Sequence, residues 1–109
     1  MDNSNKIYSL LGLSQKANKL ASGEFMTEKA VKSREASLVI VATDASDNTK
    51  KEFGDMCAWY KVNYREFGSK EKLASAIGKE IRASLAVCDE GFAKSILKYL
   101  DEAPNRVEE

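Results

Sequence analysis

The stretch Leu38-Val39-Ile40-Val41-Ala42 is a continuous apolar run rich in β-branched residues, and it decides the fold class. Such a run is typical of a strand buried on both faces, as in a parallel or mixed sheet flanked by helices. A second run, Ala83-Ser84-Leu85-Ala86-Val87-Cys88, has the same character. Shorter strands are predicted at 18–22, which is too short for a helix, and at 62–67, which alternates and ends at a glycine.

Amphipathic segments alternate with these strands. Apolar residues recur at three- and four-residue steps, which predicts helices at about 7–17, 23–32, 47–61, 69–77 and 89–100. On the second of these helices, the residues available to face inward are Phe25, Thr27, Ala30 and Val31. Alternation through short connections predicts an α/β fold, a three-layer α-β-α sandwich with a small mixed sheet of about four strands.

Length and charge narrow the functional classes. The 109 residues suit one domain, 1–109, with an acidic tail from about residue 101 that we expect to be frayed. Formal net charge is zero, so a nucleic-acid role requires cations gathered on one face. The polar N-terminus resembles no secretory signal, and no apolar run is long enough to span a membrane. We therefore expect a cytoplasmic protein with no membrane partner.

Signals of catalysis are nearly absent. The chain has no histidine, no phosphate-binding or dinucleotide-binding glycine motif, and no hydrolase motif. Cys57 and Cys88 lack a C-x-x-C partner and are interpreted as small buried apolar residues. We therefore predict no catalytic residues, no metal and no cofactor.

Two pairs of carboxylates keep an enzymatic alternative open. Asp44 and Asp47 follow a buried strand, where α/β enzymes often keep catalytic groups, although capping of helix three explains them more simply. Asp89 and Glu90 are adjacent, and Asp89 is a natural cap for the last helix. A small-molecule enzyme would need a deep pocket at the ends of the two buried strands, lined by Asp44 and Asp89.

The start of helix two is the first candidate binding feature. A helix N-terminus leaves about four backbone N–H groups without helical partners and carries partial positive charge, which suits a phosphate or a base-edge acceptor. Without a ligand, Ser22 as N-cap and Gly23 as a tight bend would also explain this turn. Lys29 and Lys32 are three residues apart and so lie on one side of the helix.

The loop at 79–82 is the second candidate binding feature. Ile81 lies at an exposed-looking tip between the cations Lys79 and Arg82. Burial in the core does not explain an apolar side chain at an exposed loop tip. Stacking or wedging against an unstacked base would explain it. The loop therefore favours a nucleic-acid contact.

The pieces and their order resemble the L-seven-Ae/L-thirty-e ribosomal-protein family of kink-turn RNA binders, and within it a small bacterial, YlxQ-like branch. The resemblance extends from about residue 7 to residue 97. It is carried by Leu10-Leu11-Gly12-Leu13 with Lys16-Ala17, Ser22-Gly23 through Lys29-Ala30-Val31, Ala36-Ser37-Leu38-Val39-Ile40-Val41-Ala42-Thr43-Asp44, Asn48-Thr49-Lys50-Lys51, Leu73-Ala74-Ser75-Ala76-Ile77-Gly78-Lys79 and Asp89-Glu90-Gly91-Phe92-Ala93-Lys94.

The resemblance implies an α-β-α sandwich that binds a sharply bent internal loop of RNA. By position, the contacts to sheared G·A pairs and phosphates would come from Gly23, Glu24, Phe25, Met26 and Lys29. The loop that grips an extruded nucleotide would be Glu80, Ile81 and Arg82, with Asp44 near the same surface. The implied partner is structured RNA, most simply ribosomal RNA, bound by a monomer. A ribosomal protein or translation factor is a further candidate partner.

One position departs from the family pattern. Strong kink-turn binders carry an Asn-Glu pair where this chain has Phe25-Met26, and phenyl and thioether groups cannot replace hydrogen bonds at guanine edges. Each lost bidentate contact costs about 1–3 kcal/mol of discrimination. The first hypothesis is an RNA-binding protein of the translation apparatus with altered specificity. The alternative is a protein-interaction module that uses exposed Phe25 and Met26 as anchors.

Overall fold

Helices and strands alternate along residues 3–102, the part of the chain that the computed structural model describes. The predicted α/β fold is confirmed, with five helices and four strands in this part. The helices are α1 (Ser4–Lys16), α2 (Glu24–Lys32), α3 (Asp47–Tyr60), α4 (Lys70–Ala76) and α5 (Glu90–Asp101). The strands are β1 (Leu20–Ser22), β2 (Leu38–Val41), β3 (Asn63–Glu66) and β4 (Ser84–Val87).

The sheet is mixed, with strand order β1-β4-β2-β3. Strand β4 is antiparallel to both of its neighbours, pairing Ser22 with Leu85 on one side and Leu38 with Val87 on the other. Strand β3 lies parallel to β2 at the edge. Every residue of β2 and β4 is buried, whereas β3 is only partly covered, as the apolar runs and the alternating run predicted.

Helices cover both faces of this sheet. Helix α2 packs on β1 and β4, α3 packs on β2 and β3, and α1 packs with α4 and α5. Because β2 and β4 are buried on both sides, these groups form two helical layers around the sheet. The core takes large side chains from several helices, among them Leu11, Phe53, Leu73 and Ile96, all 0% exposed.

Two further helix starts have side-chain caps, Ser69 for α4 and Asp89 for α5, and the cap at Asp89 is the one that the sequence predicts. The Ser69 side chain accepts a hydrogen bond from the backbone N–H of Lys72 at the start of α4. The Asp89 carboxylate accepts one from the N–H of Phe92, 2.9 Å away, at the start of α5. Each bond satisfies a backbone donor that has no partner inside its helix.

The start of α3 differs from the prediction. Ser46 is the N-cap, and its oxygen accepts the Thr49 N–H at 3.1 Å. Asp47 lies inside the first turn, where its charge favours the helix dipole. Asp44 is too far upstream to cap α3, and its carboxylate bonds to α4 instead.

The last helix ends one residue later than predicted. Asp101, which the sequence assigned to the tail, is the last residue of α5. Its carboxylate accepts hydrogen bonds from Arg65 Nε at 2.8 Å and Nη2 at 2.9 Å, which tie α5 to the edge strand β3. The rest of the predicted frayed tail, from residue 103 onward, lies outside the described residues. In the part described, no helix is both long and apolar enough to cross a membrane.

Candidate nucleic-acid interface

Gly23 makes the turn from β1 into α2. Its φ of 91° and ψ of 159° fall in a region that is essentially open to glycine alone. Its N–H donates to the Ser84 carbonyl at 3.0 Å, and its carbonyl accepts the Thr27 N–H at 2.9 Å. Gly23 is therefore the N-cap, and the prediction that Ser22 caps the helix is wrong, because the Ser22 hydroxyl accepts a bond from Arg82.

A buried hydroxyl pair fixes the same helix start to the sheet. Ser84 Oγ donates to Thr27 Oγ1 at 3.3 Å, and these two side chains are 1% and 0% exposed. Because Gly23 has no side chain, no side-chain cap satisfies the first N–H groups of α2. The helix thus presents uncapped N–H groups, with the positive end of its dipole, from a rigid position.

Arg82 holds the loop at 79–82 in shape. Its Nη1 donates to the Glu80 carbonyl at 2.8 Å and the Ile81 carbonyl at 3.1 Å, and its Nε donates to Ser22 Oγ at 3.2 Å. These bonds fold the loop around the guanidinium and attach it to the end of β1. The Nη2 nitrogen of the guanidinium takes part in none of these bonds.

A shallow groove separates the α2 start from this loop. Its volume is about 330 Å³, and it is lined by Ser22, Gly23, Glu24, Phe25, Met26, Ile81, Arg82 and Ala83. Three large apolar side chains lie exposed along it: Phe25 at 75%, Ile81 at 64% and Met26 at 46%. The exposed Ile81 confirms the prediction for the loop tip, and the structure brings the two predicted binding features together.

The prediction that Phe25 faces the core is wrong. Thr27, Ala30 and Val31 form the buried face of α2. Phe25 precedes Thr27 by two residues and is therefore turned about 200° away from it around the helix axis. Its ring consequently faces solvent beside Gly23, which is the arrangement that the protein-interaction alternative requires.

The two lysines of α2 have different environments. Lys29 is exposed and lines a second depression of about 300 Å³ that shares Met26 with the groove. Lys32 Nζ instead lies 2.6 Å from Glu28 Oε2, and this hydrogen bond raises the pKa of Lys32. The structure therefore places Lys29 beside the groove, whereas Lys32 belongs to an ion pair near the end of the helix.

The remaining predicted residues lie behind or beside the groove. Asp44 Oδ1 accepts the Lys70 N–H at 2.9 Å, and the Lys70 carbonyl accepts the Arg82 N–H at 3.3 Å. Asp44 thus supports the loop through α4 and does not line the groove. Lys79 and Glu80 are exposed on the loop itself.

No sequence pattern marked Ser22 and Thr27 as supports of the site. Ser22 meets Arg82, sixty residues away in sequence, only because β1 pairs with β4. Thr27 meets Ser84 only because α2 packs on that strand. Both contacts depend on strand order, which periodicity does not specify.

The pocket that the enzymatic alternative requires, lined by both Asp44 and Asp89, is not formed. Strands β2 and β4 are antiparallel, so Asp44 after β2 and Asp89 after β4 lie at opposite ends of the sheet. Each carboxylate accepts a backbone N–H at a helix start. Among residues 3–102, no group of three or more acidic or cysteine side chains is placed to hold a metal ion.

A larger cleft of about 730 Å³ lies at the end of the sheet away from the groove. It is lined by Arg34, Ala36, Ser37, Lys61, Val62, Asn63, Glu90, Gly91, Ala93, Lys94 and Leu97. It lies where β4 ends and α5 begins, whereas the groove lies where β4 starts. Its cations provide matched controls for those of the groove.

Comparison with known proteins gives consistent matches over most of the chain. Residues 5–97 match the sequence profile of the "Ribosomal protein L7Ae/L30e/S12e/Gadd45 family". "RNA-binding protein YlxQ" of Bacillus subtilis is 43% identical over 94 residues, which cover 86% of this chain and 94% of that protein. The Enterococcus faecium protein of the same name is 36% identical over 99 residues, covering 91% and 95%.

Solved structures agree with this architecture. A Bacillus halodurans protein of unknown function superposes with a TM-score of 0.85 at 38% identity, covering 88% of this chain and 97% of that one. The Giardia lamblia 15.5kD RNA binding protein superposes with a TM-score of 0.76, covering 91% and 85%. Its 20% identity supports the fold alone.

Proposed function

The chain belongs to the ribosomal protein L7Ae/L30e/S12e/Gadd45 family, and from this premise we propose that it is a non-enzymatic RNA-binding protein. The proposed ligand is structured RNA with a sharply bent internal loop, a kink-turn or a related element. The whole chain acts as one RNA-binding domain, as a cytoplasmic monomer of the translation apparatus, with ribosomal RNA as the simplest target. A ribosomal protein or translation factor is a second candidate partner. Two relatives that carry the name RNA-binding protein support the RNA part of this proposal.

The observation that carries the proposal is the groove between the start of α2 and the loop at 79–82. A fixed guanidinium at Arg82 and the positive end of α2 flank it from two sides. Uncapped backbone N–H groups and an arginine fork both suit phosphate oxygens. The exposed Ile81 between them offers an apolar contact to an unstacked base.

Lys29 adds a phosphate contact next to this groove. Within the described residues it takes part in no ion pair, whereas Lys32 on the same helix does. A lysine that neutralises one phosphate on binding releases counterions, which makes affinity depend on salt. Lys29 is thus the α2 cation that we place in the interface.

The experiment is a titration of a kink-turn RNA and a matched straight duplex at several salt concentrations. We expect tighter binding to the kink-turn, and Lys29→Ala should weaken binding and reduce the salt slope by about 1. Lys94→Ala, in the cleft at the other end of the sheet, should match the wild type. Equal affinity for both RNAs would refute the specific claim, and an unchanged slope would remove Lys29 from the interface.

A second candidate function is favoured by the exposure of Phe25 and Met26. On this alternative the fold is kept, RNA readout is lost, and the two side chains anchor a protein partner. The wild type would then bind none of the RNAs at low salt. The same titration therefore separates the two candidates.

A further inference from the structure

The cleft at the far end of the sheet gathers cations from three separate elements. Arg34 follows α2, Lys61 ends α3 and Lys94 lies on α5, and all three exposed side chains line the same space of about 730 Å³. Among residues 3–102, none of the three takes part in an ion pair. One carboxylate, Glu90, lines the cleft with them, so three cations face a single anion.

The positions of these cations in their helices explain them only in part. A cation at the end of a helix is favoured by the dipole, which accounts for a positive charge at Arg34 and at Lys61. Both residues, however, have a left-handed backbone, with φ of 65° and 60°, where glycine is the usual residue at a helix end. Lys94 lies in the second turn of α5, where the dipole gives a cation no benefit. An anionic ligand in the cleft accounts for all three.

The Arg34 guanidinium is held at the cleft by an aromatic ring. Its Cζ lies 5.2 Å from the centroid of the Tyr60 ring, within the range of a cation–π contact. Backbone hydrogen bonds fix the segment that carries it, from the Arg34 N–H to the Val31 carbonyl at 3.0 Å and from the Ser37 N–H to the Val87 carbonyl at 2.8 Å. A guanidinium that lies over a ring still presents the N–H groups in its plane, and their fork matches phosphate oxygens.

The other residues of the lining restrict the ligand. Val62 and Leu97 are partly buried and give the cleft an apolar wall. Glu90 lies one turn before Lys94 on the same side of α5, yet the two form no ion pair. The Glu90 carboxylate would repel a phosphate, but it accepts hydrogen bonds from hydroxyl groups. A ligand that satisfies this lining has an anionic part, a hydroxyl-bearing part and an apolar part.

Size and charge both agree with a small phosphorylated molecule. The volume of about 730 Å³ lies within the usual range of small-ligand sites, about 300–1,000 Å³. A phosphate monoester carries a charge of about −1.5 to −2 at neutral pH. Three cations and one carboxylate give the cleft a net charge of about +2, which balances one such group.

We propose that this cleft binds a 5′-nucleotide through its phosphate, its ribose and its base together. The three cations hold the phosphate, the Glu90 carboxylate accepts hydrogen bonds from the ribose hydroxyls, and the base packs on Val62 and Leu97. The groove lies where β4 starts and the cleft where β4 ends, so this site is independent of the proposed RNA interface. The same chemistry occurs in a free nucleotide and at the phosphorylated 5′ end of an RNA strand.

The experiment is calorimetric titration of the full chain at low salt. The probes are adenosine 5′-monophosphate and its two parts, adenosine and inorganic phosphate. We expect the nucleotide to bind at one site, and each part to bind about 10-fold more weakly or worse. A short single-stranded RNA with a 5′ phosphate identifies the source, because it should bind more tightly than the free nucleotide only if a strand end is the ligand. A saturating kink-turn RNA should leave the affinity for the nucleotide unchanged.

Variants of the cleft test the assignment residue by residue. Arg34→Ala and Lys94→Ala should each weaken nucleotide binding by about 5-fold or more, because each removes a charged hydrogen-bond donor. Lys98→Ala removes another cation of α5, one that does not line the cleft, and it should match the wild type. Glu90→Gln should bind inorganic phosphate more tightly than the wild type does, since the repulsion is gone. Thermal melts check that each variant is folded.

Four results would overturn the assignment. They are no binding of the nucleotide by the wild type, equal binding by the wild type, Arg34→Ala and Lys94→Ala, equal affinity for the nucleotide and inorganic phosphate, and displacement of the nucleotide by the kink-turn RNA. A polyglutamate peptide that binds more tightly than the nucleotide would also overturn it and would assign the cleft to an acidic protein segment. The kink-turn titration decides the proposed function separately, so either proposal can fail alone.

Discussion

Replacing Thr27 with valine tests how the binding helix is fixed to the sheet. The substitution keeps the shape of the side chain and deletes the hydroxyl that accepts the hydrogen bond from Ser84 Oγ. Both side chains are essentially inaccessible to water, so the Ser84 hydroxyl is left without this acceptor and without solvent. An unsatisfied buried hydroxyl costs about 1–3 kcal/mol.

The geometry places the expected cost at the lower end of this range. The two oxygens are 3.3 Å apart. This exceeds the usual O–H···O range of about 2.5–3.0 Å, so the bond is a weak one. We therefore expect Thr27→Val to lower the free energy of unfolding by about 1 kcal/mol. For a chain of this size, that corresponds to a fall of about 4–8 °C in the melting temperature.

Urea unfolding of a four-protein cycle measures this contribution. The proteins are the wild type, Thr27→Val, Ser84→Ala and the double variant. Each single variant leaves one buried hydroxyl unpaired, whereas the double variant leaves none. The double variant should therefore be less destabilised than the sum of the two single variants, by about 1 kcal/mol. Additive losses would refute the reasoning, because the two hydroxyls would then not act as a pair.

Three further predictions concern the backbone turn and two titrating groups. Gly23→Ala should lower the free energy of unfolding by about 1–3 kcal/mol, because a residue with a side chain is strained at the φ of 91° that this turn requires. An unchanged midpoint of urea unfolding would refute this prediction. The guanidinium of Arg65 lowers the pKa of Asp101, so this pair stabilises the fold above pH 3.8 and its contribution fades as pH falls below that value. Asp101→Asn should lower the free energy of unfolding by less than about 1 kcal/mol at pH 7 and should leave it unchanged in strong acid. An equal loss at both pH values would contradict a stabilising ion pair between Arg65 and Asp101. Burial raises the pKa of Cys57 from 9.0 to about 11. Burial of the neutral thiol therefore contributes fully to the stability of the fold below pH 9.0, and this contribution is lost as the pH rises toward 11. A thiol reagent at pH 8 should modify native Cys88 before Cys57, and equal rates would contradict this burial.

The fold could be predicted because its decisive signals are local. A strand buried on both faces must be apolar at every position, and β2 and β4 show this as continuous runs. Helix caps at Ser69 and Asp89 also depend only on residues three positions away. Strand order and direction could not be predicted in this way, since they depend on pairings between distant segments. That is why one pocket was expected for two aspartates that antiparallel strands hold apart.

The candidate site was predictable only in part. Gly23 and Ile81 could be identified from the sequence alone. Gly23 is a glycine at the start of a helix, and Ile81 is an apolar residue between two cations in a loop. Phe25 was misassigned, because a nine-residue helix contains too few turns to define its apolar face. The Arg82 contacts were invisible, since they join segments sixty residues apart.

The groove separates recognition from folding. The side chains that line it, Phe25, Met26 and Ile81, lie outside the buried core, whereas Gly23, Thr27 and Ser84 hold the site in place from behind. Substitutions of the first set change what the surface can bind at little thermodynamic cost. Evolution can therefore retune the ligand of this domain through two or three codons while the scaffold stays constant. If the groove is the RNA interface proposed above, the same property makes it a convenient place to engineer new specificities.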